Sequence, residues 1–271
     1  MMTREKILER AITAAVEAGN LLMRHYADEK VAAQKESLRD LVTEIDRIAE
    51  DAAIAVLRSG EPRFPILTEE HGLLDSAGDS FPNSYWVVDA LDGTVNYVNQ
   101  IPLFCVTIAW VQDGQPRVGV TYNPMSNDIY YGAEGMGVFK NQRNLKRAQG
   151  SPSFEECLFA AAFSGKSFDP ATRQLEYQIF GEVNDQSRGC LRTGSAAMNL
   201  AYVAEARLGG CWGRANKFWD IAAGLVLAQL SGAKVKWRVL DPKKHLVSYI
   251  ATTPGAWEKA YGKLERVLGL S

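Results

Sequence analysis

Four acidic residues stand where the chain changes from one kind of segment to the next: Glu69, Asp89, Asp92 and Asp220. Glu69 follows the apolar run Phe64–Thr68, Asp89 and Asp92 fall at the end of Trp86–Leu91, and Asp220 precedes the apolar stretch Ile221–Leu230. Carboxylates at strand ends and helix starts can converge on one point, whereas those spread over exposed helix faces cannot. Hard cations such as Mg2+ take oxygen ligands from a few carboxylates, with water and substrate phosphate completing an octahedron. Two such ions roughly 3.5–4 Å apart can clamp the attacking and leaving oxygens of a phosphoryl transfer. Asp92-Gly93-Thr94 adds a second ingredient. Gly93 lets the backbone approach a ligand closely, and a helix starting at Thr94 would aim free N–H groups at an anion. Taken singly, each feature has a plainer reading: a helix N-cap at Asp220, a solvated loop at Glu69-Glu70, an ordinary turn at Asp92-Gly93-Thr94.

Together they fit one template. WVVDALDGTVNY (Trp86–Tyr97) resembles the signature Trp-x-x-Asp-Pro-Ile-Asp-Gly-Thr-x-Asn-Phe of the inositol monophosphatase-like, Mg2+-dependent, Li+-sensitive phosphatases. WDIAAGLVLAQLSGA from Trp219 resembles the family's second signature, and KESLRDLVTEID (Lys35–Asp46), LTEEHG (Leu67–Gly72) and GSAAMNLAYVAEARLGG from Gly194 agree in the family's order. The resemblance implies that Glu69, Asp89 and the Leu91 carbonyl hold one Mg2+, and that Asp89, Asp92 and Asp220 hold a second. A third, weaker site would use Glu69 and waters, and Mn2+ could substitute. A water on the first metal would be the nucleophile, oriented by Glu69 and by Thr94, whose hydroxyl would pair with Asp46. The Gly93 and Thr94 amides would bind phosphate, together with Gly194 and Ser195 at the start of the matching helix. Glu70 would support the ligands from behind, and Lys35 would lie on a flap near the metals. The implied partners are a small phosphorylated metabolite and a second copy of the chain in a homodimer.

The departures concern the substrate. Ala90, Leu91 and Tyr97 replace proline, isoleucine and phenylalanine without removing a ligand. Seven residues before Asp220, where inositol-specific members carry glutamate, this chain has Gly213. The segment CWGRANKFWD offers Arg214, Asn216 and Lys217 instead, a polar and basic edge suited to a head group other than inositol. The expected reaction is Mg2+-dependent hydrolysis of a phosphomonoester that is not inositol monophosphate. A 3'-phosphoadenosine nucleotide or histidinol phosphate is an alternative substrate. An alternative of another class is a non-catalytic regulatory protein that keeps the fold.

These residues need elements to position them. Apolar positions recur at helical spacing from Leu8 to Tyr26 and from about Asp40 to Ser59, and Asp46 falls where exposure is the default for a helix. The segment from Asp28 to Ser37 reads as an exposed loop. From Phe64 to about Glu134 the period shortens into an antiparallel meander, with a hairpin at Gln112-Asp113-Gly114-Gln115. The second half mixes a strand at Leu158–Phe163, helices around Glu176–Phe180, Ser195–Leu208 and Ile221–Leu230, a strand at Tyr249–Ala251 and a closing helix from Pro254 to near Gly269. The resemblance implies an α/β fold with five layers, α-β-α-β-α. It is expected to form a single unit over 1–271, with a soft boundary near 140–155.

Composition narrows the function classes. Lys+Arg 30 against Asp+Glu 32 gives a formal charge of -2, without the basic field of a general nucleic-acid binder. No apolar run approaches the roughly 20 residues of a membrane helix. The start of the chain, Met1 to Glu5, has an early acid and no apolar core, unlike a secretory signal. The four cysteines, Cys105, Cys157, Cys190 and Cys211, form no Cys-x-x-Cys pair and suit a reducing compartment, so a cytoplasmic protein is expected. Three histidines in no suggestive pattern offer no nucleophilic triad.

Overall fold

The structure is a computed structural model that describes residues 3–26, 37–76, 82–145, 151–163 and 169–270. Two long helices, α1 (Arg4–Tyr26) and α2 (Ser37–Arg58), make the first layer. Ile7, Leu8, Ala11, Ala14, Ala15, Ala18 and Leu22 form one buried stripe on α1, and the small alanines let the helix lie close to the sheet beneath.

That sheet has eight strands: β1 (Ile66–Thr68), β2 (Gly72–Leu74), β3 (Ser84–Asp92), β4 (Cys105–Gln112), β5 (Gln115–Asn123), β6 (Asp128–Ala133), β7 (Gly137–Lys140) and β8 (Arg143–Asn144). Their order is β2-β1-β3-β4-β5-β6-β7-β8. From β3 onward it is the expected meander, and Asp113 and Gly114 both take positive φ in the two-residue turn joining β4 to β5. The expectation of a wholly antiparallel sheet is corrected at one place. β1 pairs with β3 in parallel, so both strands end at the same edge. Between them along the sequence, β2 folds back antiparallel on β1.

Helix α3 (Thr94–Val98) follows β3 directly. It is anchored by Tyr97, whose hydroxyl donates to the Leu22 carbonyl at 2.8 Å and whose ring sits edge-on to Phe104.

The second sheet contains β9 (Leu158–Ala162), β10 (Gly189–Leu191), β11 (Gly210–Lys217), β12 (Lys234–Asp241) and β13 (Leu246–Thr252), in the order β10-β9-β11-β13-β12. Three of these, β10 to β12, are additions to what periodicity suggested. Helices α5 (Ala196–Ala204) and α6 (Phe218–Leu230) lie between the sheets, while α4 (Pro170–Gln186) and α7 (Trp257–Leu268) cover the outer face. The layers are therefore α-β-α-β-α. Leu67 and Val87 of the first sheet, Ile221 and Leu225 of α6, and Tyr249 and Ala251 of the second sheet share one buried cluster. The nearly all-apolar α6 fits this place, since a helix between two sheets is buried around most of its circumference. Cys105 and Cys211 are buried and free.

Candidate metal centre

The parallel pairing of β1 and β3 brings Glu69, just past β1, beside the end of β3. An ideal strand would send Asp89 and Asp92 to opposite faces, because they are three residues apart. A β-bulge prevents this: Asp89 pairs with Thr107 and Asp92 with Cys105, so three steps on β3 match two on β4. Ala90 and Leu91 pack under the first helical layer, and both aspartates serve the side of α5 and α6. The Asp89 carboxylate also accepts the Leu91 N–H at 2.8 Å, which fixes the strand's last turn.

Asp220 arrives from α6. That helix begins at Phe218, three residues earlier than the sequence suggests, so Asp220 sits in its first turn and is not its N-cap. Its Oδ2 accepts the Lys217 N–H at 3.3 Å. Carboxylate oxygens of Glu69, Asp89 and Asp220 all lie within 4.8 Å of one another.

Asp92 is held by the start of α5. Ser195 Oγ donates to Asp92 Oδ2 at 2.5 Å, the Ala197 N–H donates to the same oxygen at 2.9 Å, and Cys105 Sγ approaches it at 3.9 Å. Ser195 is the N-cap of α5, as expected, and accepts the Met198 N–H at 3.1 Å. Its hydroxyl thus serves Asp92 and the helix, while the residue itself lines the cavity beside the acids. Gly194 precedes it, packed against Asn96, and Asn96 Nδ2 ties the Leu103 and Thr193 carbonyls together at 2.7 and 2.9 Å.

Gly93 takes φ +95, and a Cβ there would lie 3.0 Å from the Leu103 carbonyl oxygen. Only glycine suits this junction without strain. Thr94 is exposed at the start of α3, and its hydroxyl donates to the Leu91 carbonyl at 3.1 Å. The expected pairing of Thr94 with Asp46 is replaced by this bond.

Behind the cluster, α2 contributes two more acids. Asp46 is buried, contrary to the helix-face expectation, because that face of α2 packs over the turn after β1. Glu50, not anticipated from sequence, is fully buried and accepts the Glu70 N–H at 3.2 Å through Oε2. The Glu70 carboxylate itself meets Arg47 at 3.2 Å. Lys35 lies outside the described residues.

The electrostatics follow from crowding. Burial, then Glu69, Glu70 and Glu50, push the Asp46 carboxyl up to about 8. Burial, then Asp92 and Glu70, push Glu69 up to about 7, partly opposed by the indole N–H of Trp219, which donates to Glu69 Oε2 at 3.1 Å. Asp92 rises to about 6 by burial, held down by its donors Ser195 and Ala197. Asp89 and Asp220 are raised well above the ordinary range, again by burial first and neighbouring acids second. An all-oxygen set of mutually repelling carboxylates fits a hard divalent cation.

Beside the acids lies a cavity of about 170 Å³ lined by Asp92, Asp220, Ser195, Asn199, Arg192 and Asn216, among others. Two expected substrate residues are turned elsewhere. Arg214 Nη1 donates to the Val267 carbonyl near the end of α7 at 2.6 Å, and Lys217 Nζ donates to the Lys244 carbonyl at 3.0 Å. Asn216 does line the cavity, and Arg192, not anticipated from sequence, lines it too.

A model of the inositol monophosphatase family matches residues 3–263. The chain belongs to the inositol monophosphatase family. An inositol-1-monophosphatase from Mesorhizobium japonicum is 34% identical over 237 residues, covering 86% of each chain. The protein named Nus factor SuhB from Escherichia coli K12 is 35% identical over 232 residues, covering 84% of each. The solved inositol monophosphatase from Anabaena superposes with a TM-score of 0.81 at 30% identity, over 98% of this chain and 97% of that one. Among the described residues, no helix is long and apolar enough to cross a membrane.

Proposed function

We propose that this family member is a Mg2+-dependent phosphomonoesterase acting on a small phosphorylated metabolite other than inositol monophosphate. The observation that carries this reading is the convergence of Glu69, Asp89 and Asp220 within 4.8 Å, beside a cavity and with Asp92 alongside. Glu69, Asp89 and the Leu91 carbonyl would hold one ion, and Asp89, Asp92 and Asp220 a second. Bound there, Mg2+ would neutralise charge on the phosphoryl group and acidify a water enough for attack near neutral pH.

The chain's own groups supply the rest. Glu69, fixed by Trp219, can orient the attacking water and accept its proton. The Gly93 and Thr94 amides open α3 and have no partner one turn earlier within that helix, so they suit phosphate oxygens. Ser195 and the Ala197 amide hold Asp92 in register. Glu50, behind the cluster, adds to the negative field felt by Asp46 and Glu69. The reading includes Li+ inhibition, a homodimer and a cytoplasmic setting.

A non-catalytic regulatory role has one support, the name Nus factor carried by the SuhB relatives. The complete carboxylate set favours catalysis. Assaying phosphate release from a panel of phosphomonoesters, with and without Mg2+, tests the choice. Turnover that requires Mg2+ and is slowest or absent for inositol 1-phosphate is expected. Preference for inositol 1-phosphate contradicts the substrate reading, and no turnover of any ester favours the regulatory one.

A further inference from the structure

Strand β11 contains a local irregularity at the edge of the cavity. Gly213 pairs with Tyr249 of β13 and Asn216 with Val247, so β11 carries two intervening residues where β13 carries one. Tyr249 and Val247 both face the layer of α5 and α6. The bulge therefore places Asn216 on the same face as Gly213, although their spacing would put them on opposite faces of a regular strand. Ala215, at φ +52, makes the turn that brings this about.

The consequence is an exchange of space. A Cβ on Gly213 would lie 2.0 Å from Asn216 Oδ1 and 2.7 Å from the Tyr249 ring. The carboxamide of Asn216 thus occupies the volume that a side chain at 213 would need. Asn216 Oδ1 is buried and finds no hydrogen-bond donor among the described residues. A buried carbonyl left in this state is costly, and since Asn216 also lines the cavity, a turn of its carboxamide away from Gly213 would let a ligand hydroxyl satisfy it.

Arg192 lines the same cavity. Its guanidinium rests over the Phe163 ring, 5.7 Å from the centroid, and among the described residues no carboxylate lies within ion-pair distance. Other arginines of this half, such as Arg207, have acidic partners. A guanidinium on an aromatic shelf, lacking a carboxylate and facing a cavity, suits a planar anion.

We propose that Asn216 and Arg192 select the leaving group of the substrate, the carboxamide taking a hydroxyl and the guanidinium a second anionic group. The preferred substrate class is then a hydroxylated phosphomonoester that carries a further phosphate or carboxylate. This rests on the phosphatase reading above and adds the substrate's chemistry to it. Gly213 is part of the device, because any larger residue displaces Asn216.

Matched substrates test this in the full-length protein with Mg2+. Fructose 1,6-bisphosphate against fructose 1-phosphate reads a second phosphate, and 2-phosphoglycerate against glycerol 2-phosphate reads a carboxylate. Glycerol 2-phosphate against isopropyl phosphate reads the hydroxyls. In the wild type the anionic member of at least one pair is expected to have a kcat/KM about tenfold higher, which also identifies the anion. Arg192→Met should bring that ratio near one, mainly through KM, and Arg192→Lys should retain part of it. Asn216→Ala should lower the hydroxyl ratio about tenfold, Gly213→Ala should do the same, and the double variant should add little. Ratios equal to wild type in these variants, with Mg2+-dependent hydrolysis still present, overturn the inference alone. No hydrolysis of any ester by the wild type overturns the phosphatase reading and this inference with it.

Discussion

Two groups of acids in this molecule are built in opposite ways. Glu205, after α5, is largely enclosed and is met by Lys140 at 3.2 Å, Arg143 at 2.9 Å, Arg207 at 3.2 Å and the Tyr130 hydroxyl at 2.7 Å. The acids around Asp89 have each other. Among the described residues, no lysine or arginine forms an ion pair with Glu69, Asp89, Asp92 or Asp220, and the carboxyls rise above their ordinary range. A carboxylate neutralised by its own chain ties elements together. Carboxylates that repel one another need a cation from outside, and the fold contributes the energy to keep them together until one arrives.

The sharpest way to break the contrast is to neutralise one acid from each group. Asp89→Asn is expected to abolish Mg2+-dependent phosphate release, by about 1,000-fold or more given the scale of charge stabilisation at such sites. The same change should raise the melting temperature of metal-free protein at pH 8, because it removes a repelled charge. Glu205→Ala should do the reverse: it costs about 1–3 kcal/mol of stability by leaving the buried Tyr130 hydroxyl without its acceptor and Lys140 with Asp128 alone, measured by denaturant unfolding, while folded molecules keep their kcat. If Asp89→Asn destabilises the metal-free protein as Glu205→Ala does, the contrast fails.

A pH series comes next in size. Asp92, Glu69 and Asp46 have folded-state values of about 6, 7 and 8, above the ordinary carboxylate range near 4. Groups raised on folding contribute stability that is intact below their unfolded pKa and lost as pH climbs through the folded one. Metal-free protein should therefore lose stability between about pH 4 and pH 8, read as a falling melting temperature. Saturating Mg2+ should flatten that slope, and Asp46→Asn should remove the part of it nearest pH 8. A slope of opposite sign contradicts the account of the cluster.

The smallest effect is expected on the rim. Arg47 pairs with Glu70 at 3.2 Å from an exposed position, so Arg47→Ala should change stability by less than about 1 kcal/mol. A larger loss, measured by denaturant unfolding, would mean that the rim shares the architecture of the Glu205 network.

Much of this cluster is legible in the sequence because its acids fall where elements end. Glu69, Asp89, Asp92 and Asp220 each mark such a boundary, and strand ends and helix starts are readable from hydrophobic period. The bulge at Ala90-Leu91, which brings Asp89 and Asp92 to one side, depends on β4 and is invisible in β3 alone. Asp46 was placed on an exposed face because helical period says nothing of a neighbouring loop. Arg214 and Lys217 looked like substrate residues, yet their side chains reach carbonyls of residues 267 and 244. Arg192 carried no signal, since an arginine before a turn has many ordinary uses. The strands β10 to β12 were missed for a related reason. β10 is three residues long, β11 is broken by its bulge, and β12 is an edge strand alternating Lys234, Lys236 and Arg238 with apolar residues, which reads as a solvated segment.

The central claim is that the acid cluster exists to receive divalent cations. Calorimetric titration of Mg2+ into metal-free protein at pH 6.5, repeated in buffers of different ionisation enthalpy, addresses it without any substrate. Saturable binding that releases protons is predicted, because Glu69 is partly protonated there and must give up its proton to the ion. Both binding and proton release should be lost in Asp89→Asn. Absence of saturable binding in the wild type, or equal binding without proton release in Asp89→Asn, would contradict the account.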